Sequence, residues 1–366
     1  MTYDSFRPGQ IWLDTNGRPI QAHGFSVFEK DGVYYWYGEN KERTKGGPFN
    51  RIWHWGVRCY SSTDLYNWED RGLIIPPQPD DLTSPLHPTY GVDRPHIIYS
   101  EATGKFVAWL KVIAGVHATF MVVMEAESFL GPYEFVRKVY NPLDMYTGDF
   151  TVVNDSKSGE GYLVFDRPHF EIVTATLTPD RTAVTGEYST HYQGLLPPHT
   201  REAPAWFERD GVNYLFTSGT SWYYANPSTV CSFTDWHGEY TDLGDPCIDD
   251  KTNTTFYSQI SSVLRVAGTD QYIALADRWK PGAVGKFVSR NFHRLIERGM
   301  QNPSDEWLNP DRTPKVSEIS GKRGRHMDNT SVARYVWLPI EWHDNKPVLR
   351  WHDEWRLDHA TANRGN

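Results

Sequence analysis

The sequence predicts an all-β protein, and more narrowly a β-propeller that forms a single domain over residues 1–366. A polar turn followed by a short, aromatic-rich apolar strand recurs at intervals of roughly fifty to seventy residues, close to the period of propeller blades. Segments with helical periodicity are scarce, and proline and glycine are spread evenly, without a linker-like shift in composition. A β-sandwich also contains many short strands, but it does not require so long a repeat.

The repeated strands can be followed in order along the chain. Most begin at a Gly- or Asp-containing turn and continue into β-branched and aromatic residues, which favour strands. The six copies are EKDGVYYWYGEN from Glu29, EATGKFVAWLKV from Glu101, SKSGEGYLVFDR from Ser156, ERDGVNYLFTSG from Glu208, VAGTDQYIALADRW from Val266 and SVARYVWLPIEW from Ser331. Further strand units lie between them, at 57–72, 131–139 and 236–246. Residues 288–300 predict a short helix or loop insertion, and the residues from about 352 onwards predict a tail or closing strap.

Composition and charge exclude several classes of partner. The net charge is −9, and the only basic cluster is GKRGR at 321–325, so the basic face that binds nucleic acid is missing. No apolar run reaches transmembrane length. The first residues lack the basic and apolar regions of a signal peptide, which predicts a cytoplasmic protein, although a chain from which such a segment had been removed would look the same. Cys59, Cys231 and Cys247 are too far apart for a zinc or disulfide framework.

The polar residues embedded in the repeated strands are the candidates for a functional site. A propeller brings the innermost strands of its blades around one central funnel, so its functional residues come from distant parts of the sequence. Each such residue alone is more often structural, but together they supply one or two polar groups per repeat at comparable places. They are Gln21, His23, Glu39, Asp93, Arg94, Asp149, Glu202, Gln259, Asp277 and Arg278.

Glu202 is the acid that its neighbours explain least. It stands between Arg201 and the apolar run Ala203–Trp206, directly before a segment that reads as a buried strand. One interpretation is a carboxylate paired with an arginine at an exposed strand end. The other is a catalytic acid in a partly apolar pocket, where loss of solvation raises the pKa.

The motifs around these residues resemble glycoside hydrolase family 43, and most closely its exo-β-1,3-galactanase-like branch. The matching stretches are PIQAHG, YYWYGENK, CYSSTDLYNW, VDRPHIIYS, REAPAWF, FYSQ, DRW and YVWLPIEW, which run from about residue 19 to 342. SSTDLYNW is a general blade motif, whereas IQAHG followed by YYWYGENK is much more specific to this branch. The resemblance implies a five-bladed β-propeller and an inverting glycosidase, whose acid and base stand roughly 6.5–9.5 Å apart.

The resemblance also implies roles for individual residues. The REAP match makes Glu202 the general acid, and the GDF match makes Asp149 the carboxylate that positions it and tunes its pKa. Most of the family has an aspartate base on the first blade, where this chain reads Gln21-Ala22-His23. The galactanase branch uses a glutamine to hold the water, matched here by Gln259. An amide is a poor base, so Glu39 and Asp93 are alternative bases.

Two departures from the branch bear on the substrate. Asp93 stands where the branch usually has glutamate, and Arg167-Pro168-His169 stand where it has small polar residues and an asparagine. The expected activity is exo-acting release of a terminal galactose-like sugar from oligosaccharides or small glycosides. Arabinofuranosidase, galactofuranosidase and xylosidase activities are alternatives, as are a propeller that binds sugar without hydrolysing it and a protein-binding propeller.

No cofactor is required by this chemistry. Some family members hold a calcium ion near a histidine at the propeller centre, and His326 in GRHMDN is the matching candidate. The alternative is that this histidine is buried and hydrogen-bonded without a metal. The sequence leaves the oligomeric state open.

Overall fold

Five four-stranded antiparallel sheets contain the twenty strands of the described residues. The computed structural model describes residues 2–47, 49–115, 118–168, 170–303 and 328–358. Within each sheet the strands lie side by side in chain order, so each sheet is a simple meander. The innermost strands contact one another in a closed ring, in which the last contacts the first. The fold is therefore the five-bladed β-propeller that the sequence analysis predicted.

Blades 1 to 3 occupy the first half of the chain. Their strands are β1 (His23–Lys30), β2 (Val33–Glu39), β3 (Val57–Ser62) and β4 (Glu69–Ile75) in blade 1, β5 (Gly91–Ser100), β6 (Lys105–Gly115), β7 (Ala118–Ala126) and β8 (Glu134–Tyr140) in blade 2, and β9 (Phe150–Asn154), β10 (Gly161–Arg167), β11 (Glu171–Leu177) and β12 (Val184–His191) in blade 3. A short 3-10 turn, Pro142–Asp144, joins blades 2 and 3.

Blades 4 and 5 complete the ring. Their strands are β13 (Glu202–Arg209), β14 (Val212–Ser218), β15 (Ser228–Phe233) and β16 (Thr241–Gly244) in blade 4, and β17 (Gln259–Arg265), β18 (Tyr272–Arg278), β19 (Arg334–His343) and β20 (Lys346–Leu349) in blade 5. The innermost strands are thus β1, β5, β9, β13 and β17. The first two strands of each blade carry most of the aromatic repeats seen in the sequence.

Apolar cores fill the spaces between neighbouring blades. Where blade 5 meets blade 1, Phe25, Trp36 and Trp337 are fully buried, with ring centroids of Trp36 and Trp337 4.7 Å apart. Burying one such aromatic side chain contributes roughly 4–6 kcal/mol of hydrophobic free energy as an upper estimate. Most of the aromatic residues are therefore explained by the cores between blades. All three cysteines are buried and free, in agreement with the sequence analysis.

The chain ends meet beside blade 5. Phe6 and Trp355 form an antiparallel bridge in which each amide donates to the other's carbonyl, at 2.9 and 3.1 Å. The amide of Gly9 also donates to the carbonyl of Tyr335, at 2.6 Å. The described part of the predicted tail therefore lies against the N-terminal segment.

One α-helix occurs in the described part of the chain, α1 (Ala283–Gly299), inserted between β18 and β19. The helix predicted at 288–300 is confirmed, but it begins five residues earlier, after an extended Gly282. The sequence signal begins late because Ala283 to Phe287 expose Val284 and Phe287 rather than burying an apolar stripe. Within the described residues, no helix has the length and apolar character needed to cross a membrane.

Candidate functional site

Register shifts at the start of the inner strands aim polar side chains at the propeller axis. In blades 1, 2 and 4 the pairing slips directly after His23, Asp93 and Glu202. The residue that follows has a left-handed φ in each case: +53° at Gly24, +47° at Arg94 and +52° at Ala203. Such bulges bend and twist a strand, and they often occur at functional sites because they redirect a side chain.

The site is built from five cross-strand pairs, one from each blade. In each pair the first residue lies near the start of the innermost strand and the second lies in the second half of the next strand. The pairs are His23 with Glu39, Asp93 with Lys111, Asp149 with Asp166, Glu202 with Ser218, and Gln259 with Asp277. Seven of these ten residues were predicted from the sequence, so the structure brings most of the predicted residues together.

Arg94, on blade 2, contacts residues of three other blades. Its Nε lies 2.8 Å from Oδ2 of Asp149, and its Nη2 donates to Oε1 of Gln259 at 2.7 Å. Its own amide donates to Oε1 of Glu39 at 2.8 Å. Arg94 is only 3% exposed, so these contacts are made away from bulk water, where charge-assisted hydrogen bonds are strong.

Two lysines complete the charge pattern. Lys111 Nζ contacts Oδ1 of Asp149 at 2.5 Å and lies 3.5 Å from Oδ2 of Asp93. Lys41 is completely buried, and its Nζ lies 2.7 Å from Oε2 of Glu39 and 3.6 Å from Oδ1 of Asp93. Asp93 is therefore flanked by two cations, which favour its ionised form.

Two carboxyl groups of the site, those of Glu202 and Asp149, have pKa values shifted in opposite directions from their usual range. Burial, followed by the negative charge of Asp149, raises the pKa of Glu202 well above its usual range. Burial opposes ionisation of Asp149 as well, but Arg94 and Lys111 overcome it and hold the pKa of Asp149 at about 2. Glu202 is therefore the carboxyl group of the pair that holds a proton more tightly, while Asp149 favours the ionised form, and such a divergence suits general acid catalysis.

Two further carboxyl groups hold protons more tightly than usual. Burial, together with the charge of Asp149, raises the pKa of Asp166 well above its usual range. Burial raises the pKa of Glu39 to about 7, even though Lys41 opposes the shift. Both side chains are almost completely buried, so they lie beneath the site and have little contact with solvent.

Gln259, predicted to hold the attacking water, lies directly beside Glu202. Its Nε2 donates to Oε1 of Glu202 at 3.1 Å and to Oγ of Ser218 at 3.0 Å. Its Oε1 accepts from Arg94 and from the indole of Trp279. The two residues meet side by side because β17 is the immediate neighbour of β13 in the ring.

Three predicted sugar-contacting residues are occupied by other contacts. His23 and Asp277 are fully buried and pair with each other, Nδ1 to Oδ1, at 2.9 Å, so they form the floor of the funnel. Arg278 follows Asp277 on β18 and points to the opposite side because strand residues alternate. Its Nη2 donates to the carbonyl of Phe256 at 2.7 Å, and its guanidinium lies over the ring of Trp351. Direct sugar binding by these three side chains is therefore not supported.

Gln21 lies at the edge of the site. Its Nε2 donates to the carbonyl of Ser331 at 3.1 Å. Its Oε1 is buried and accepts no hydrogen bond from the residues that the structure describes. The backbone N–H of Gln21 donates to the hydroxyl of Tyr60. Arg167, one of the departures from the family pattern, lies 3.3 Å from Glu171 on the neighbouring strand. His169 falls outside the described residues.

Sequence reasoning missed three members of the ring, Lys111, Asp166 and Ser218. A signal for Asp166 was present, because YLVFDR at the end of β10 matches YIALADR at the end of β18, where Asp277 was selected. Ser218 ends the corresponding strand of blade 4, whereas Lys111 lies within β6, four residues before its end. Aligning the ends of the second strands would have found Asp166 and Ser218 but not Lys111.

The described residues do not present a metal site. Within them, no cluster of three or more His, Cys, Asp or Glu side chains is arranged to hold an ion. His23, the histidine at the described centre, has Nδ1 against Asp277 and Nε2 3.4 Å from the hydroxyl of Tyr335, so neither nitrogen is directed at an ion site. His326, the calcium candidate, lies outside the described residues.

A family profile decides the assignment. The profile described as glycosyl hydrolases family 43 matches residues 19–275, which is more than two thirds of the chain. The chain belongs to glycoside hydrolase family 43. Members of this family are inverting glycoside hydrolases. The predicted resemblance is confirmed. No match was found among curated protein sequences.

Solved structures from family 43 share the whole fold. A β-1,3-galactosidase of the family is 26% identical, with a TM-score of 0.75, over 98% of this chain and 64% of its own length. A second family 43 β-1,3-galactosidase, solved with galactodeoxynojirimycin, is 24% identical, with a TM-score of 0.73, over 96% of this chain and 100% of its own. An exo-β-1,3-galactanase from Phanerochaete chrysosporium, solved with β-1,3-galactotriose, is 22% identical, with a TM-score of 0.75. The match covers 99% of this chain and 70% of the galactanase. This chain thus spans about two thirds of the length of the first of these proteins.

Proposed function

We propose that this family 43 enzyme is an exo-acting galactosidase that releases a terminal galactose-like sugar from oligosaccharides with inversion of configuration. The observation that carries the proposal is the buried carboxyl pair of Glu202 and Asp149, whose pKa values are shifted in opposite directions, upward for Glu202 and downward for Asp149. A protein that only binds sugar has no use for an acid tuned in this way. The similarity to β-1,3-galactosidases supports galactose as the sugar.

The reaction follows from the positions of these groups. Glu202 gives its proton to the glycosidic oxygen as the bond from that oxygen to the anomeric carbon breaks. Water attacks the same carbon from the opposite face, forms the new bond and loses its proton to a carboxylate. Asp149 remains ionised, and its charge holds the proton on Glu202 until the leaving group takes it. Lys111 and Arg94 keep Asp149 ionised and fixed in place.

We assign the water-activating role to Asp93 rather than to Gln259. Both amide hydrogens of Gln259 and its carbonyl oxygen are occupied, and a guanidinium bound to that oxygen makes it a still weaker base. Asp93 is a carboxylate from blade 2, two blades away from Glu202, and two lysines favour its ionised form. Glu39, the other alternative, is 2% exposed and pairs with Lys41, so it is not accessible to water.

Other predictions remain part of the proposal. Arabinofuranosidase, galactofuranosidase and xylosidase activities are the alternatives within the family, because Asp93 and Arg167 depart from the galactanase pattern where hydroxyl groups are read. The chemistry requires no cofactor, since side chains of the chain supply the proton donor and acceptor. A structural calcium ion at His326 and a cytoplasmic location remain predictions.

A panel of substrates tests the proposed function. The purified enzyme is incubated with 4-nitrophenyl glycosides of β-galactopyranose, β-galactofuranose, α-arabinofuranose and β-xylopyranose, and with β-1,3-galactobiose. We expect the β-galactopyranoside and galactobiose to be hydrolysed fastest, with galactose as the product. A larger kcat/KM for an arabinoside, galactofuranoside or xyloside would reassign the sugar, and binding without turnover of any glycoside would reject the enzymatic function. Glu202→Gln is the control for contaminating glycosidases.

A further inference from the structure

The loop that joins β14 to β15, residues 219–227, lines a small pocket together with Gln259, the neighbour of Glu202. Trp222, Tyr223 and Tyr224 from this loop line one side of the pocket, and Gln259 and Trp279 line the other. The enclosed space between them is about 10 Å³. That volume accommodates about one water molecule, far less than a sugar ring.

Tyr223 is the side chain that reaches into the funnel. Its ring packs edge-on against Trp279, with centroids 5.3 Å apart, and Trp279 in turn donates to Oε1 of Gln259 at 3.2 Å. Burial, together with the nearby carboxylates of Asp93 and Glu39, raises the pKa of Tyr223 well above its usual range. The ring therefore stands over Gln259, the neighbour of Glu202, and the side chain extends toward the acidic side of the funnel.

The loop is held in this position from outside the funnel. Trp222 Nε1 donates to Asp328 at 2.9 Å, and the amide of Ala225 donates to Oγ of Ser289 on α1 at 3.2 Å. Trp222 has a left-handed φ of +58°, which is uncommon for a bulky side chain, and its side chain is 70% exposed. Outliers of this kind persist where surrounding contacts impose them, often at sites that change conformation.

We propose that Tyr223 is a specificity-determining residue that occupies the place of the terminal sugar and is displaced when substrate binds. The inference rests on the proposed function of the site. Displacement removes the aromatic contact with Trp279 and the polar environment of the Tyr223 hydroxyl. Only a ligand that offers hydroxyl groups to Asp93 and a flat face to Trp279 replaces both, as a pyranose does. Tyr223 thereby selects against ligands that are apolar or lack hydroxyl groups.

The displacement should be visible in the binding kinetics of the unsubstituted enzyme. Galactodeoxynojirimycin is mixed with the full-length enzyme in a stopped-flow instrument, and tryptophan fluorescence is followed. Because the inhibitor binds only after Tyr223 has left, the observed rate should reach a plateau at high inhibitor concentration. The signal should be lost in Trp279→Phe. A rate that rises linearly over the whole concentration range would overturn the proposal.

Two substitutions distinguish a Tyr223 side chain that occupies the place of the sugar, here called the plug, from one that only forms a wall of the pocket. If the open state is a minor species of about 10% or less, Tyr223→Ala should lower the Kd of galactodeoxynojirimycin by about tenfold or more and abolish the plateau. The KM for the aryl β-galactoside should fall, with kcat retained. Tyr223→Phe, which keeps the ring, should retain the plateau. The control is Tyr188→Ala, which removes an exposed tyrosine from β12.

The outcomes distinguish this inference from the proposed function. Weaker binding in Tyr223→Ala, with a folded protein by thermal melting, would show that Tyr223 is a wall and would refute the plug alone. An enzyme that hydrolyses no galactoside refutes the proposed function. In that case acrylamide quenching of Trp279 fluorescence still decides whether Tyr223 covers the pocket. Quenching should increase in Tyr223→Ala, whatever the substrate of the enzyme is. An unchanged value would refute the plug.

Discussion

The pKa of Glu202 is raised by the balance of opposing influences from three neighbouring blades. Its own position at the start of β13 removes it partly from water, and the ionised Asp149 on blade 3 disfavours a second negative charge nearby. Arg94 and Lys111 would favour loss of the proton, but both are already paired with Asp149. Asp149 thus serves Glu202 twice, by its charge and by engaging the cations.

Replacing Glu202 with glutamine should affect substrates according to their leaving groups. Galactobiose has an alkoxide leaving group that needs protonation, so its kcat/KM should fall by roughly two to four orders of magnitude. A dinitrophenyl β-galactoside, whose phenol leaves readily without a proton, should lose far less. Steady-state kinetics on both substrates checks this, and equal losses on both would reject Glu202 as the acid.

Replacing Asp149 with asparagine should move the alkaline limb of the pH–rate profile to lower pH. The Asp149 carboxylate raises the pKa of Glu202, so a neutral residue lowers it. The cations Arg94 and Lys111, no longer neutralised, act in the same direction. Glu202 then loses its proton at lower pH, and activity is lost there. The measurement is kcat/KM across pH 4 to 10, and an alkaline limb that stays in place or moves upward would contradict the assigned role.

The two candidate water-activating residues can be separated by paired substitutions. Asp93→Asn removes a base but keeps the size of the side chain, so turnover should fall by two or more orders of magnitude with inhibitor binding largely retained. Gln259→Ala removes hydrogen bonds to Glu202 and Arg94, so it should raise KM and lower kcat more modestly. The reverse order of effects on kcat would return the role to Gln259.

At the scale of single strands, the bulges do most to create the site. Without the extra residue after His23, Asp93 or Glu202, the strict alternation of a strand would place the following side chains on the other face of the sheet. At Gly24 the space is also limited, because a Cβ atom there would lie 2.2 Å from Oε1 of Glu39. The first bulge therefore requires glycine for both its backbone angle and its volume.

Gly24→Ala and Gly32→Ala form a matched pair that tests this requirement. Both glycines have a left-handed φ, +53° and +78°, but nothing lies within 4 Å of a Cβ at Gly32. Both variants should lose about 1–2 kcal/mol from backbone strain. Gly24→Ala should lose more and should also lose activity, because Glu39 must move away from Arg94. Chemical denaturation and turnover are the measurements, and equal stabilities with normal activity would contradict the account.

Individual strands were easier to predict than their bulges. Turn residues followed by aromatic and β-branched runs located the second strand of most blades, as at 33–39 and 212–218, because that pattern depends only on local sequence. Bulges depend on pairing between strands, which the sequence of one strand does not reveal. Lys111 was missed for the same reason, since a lysine beside an apolar run usually indicates a solvent-exposed strand end.

Across the whole molecule, the site depends on ring closure. Its ten polar residues come from five blades and span positions 23 to 277, and no two blades alone contain both the acid and its supporting charges. The repeat length in the sequence predicted a propeller, but the blade number followed only from the family resemblance. The order of the blades around the axis placed Gln259 beside Glu202, and no feature of the linear sequence indicated that contact.

The most direct measurement of the central claim is the configuration of the first sugar released. β-1,3-Galactotriose is added to the enzyme in an NMR tube, and the anomeric protons are followed before mutarotation. An exo-acting enzyme in which Glu202 protonates the leaving oxygen while water attacks the opposite face should release α-galactose, with galactobiose as the other early product. β-Galactose as the first product would contradict this account.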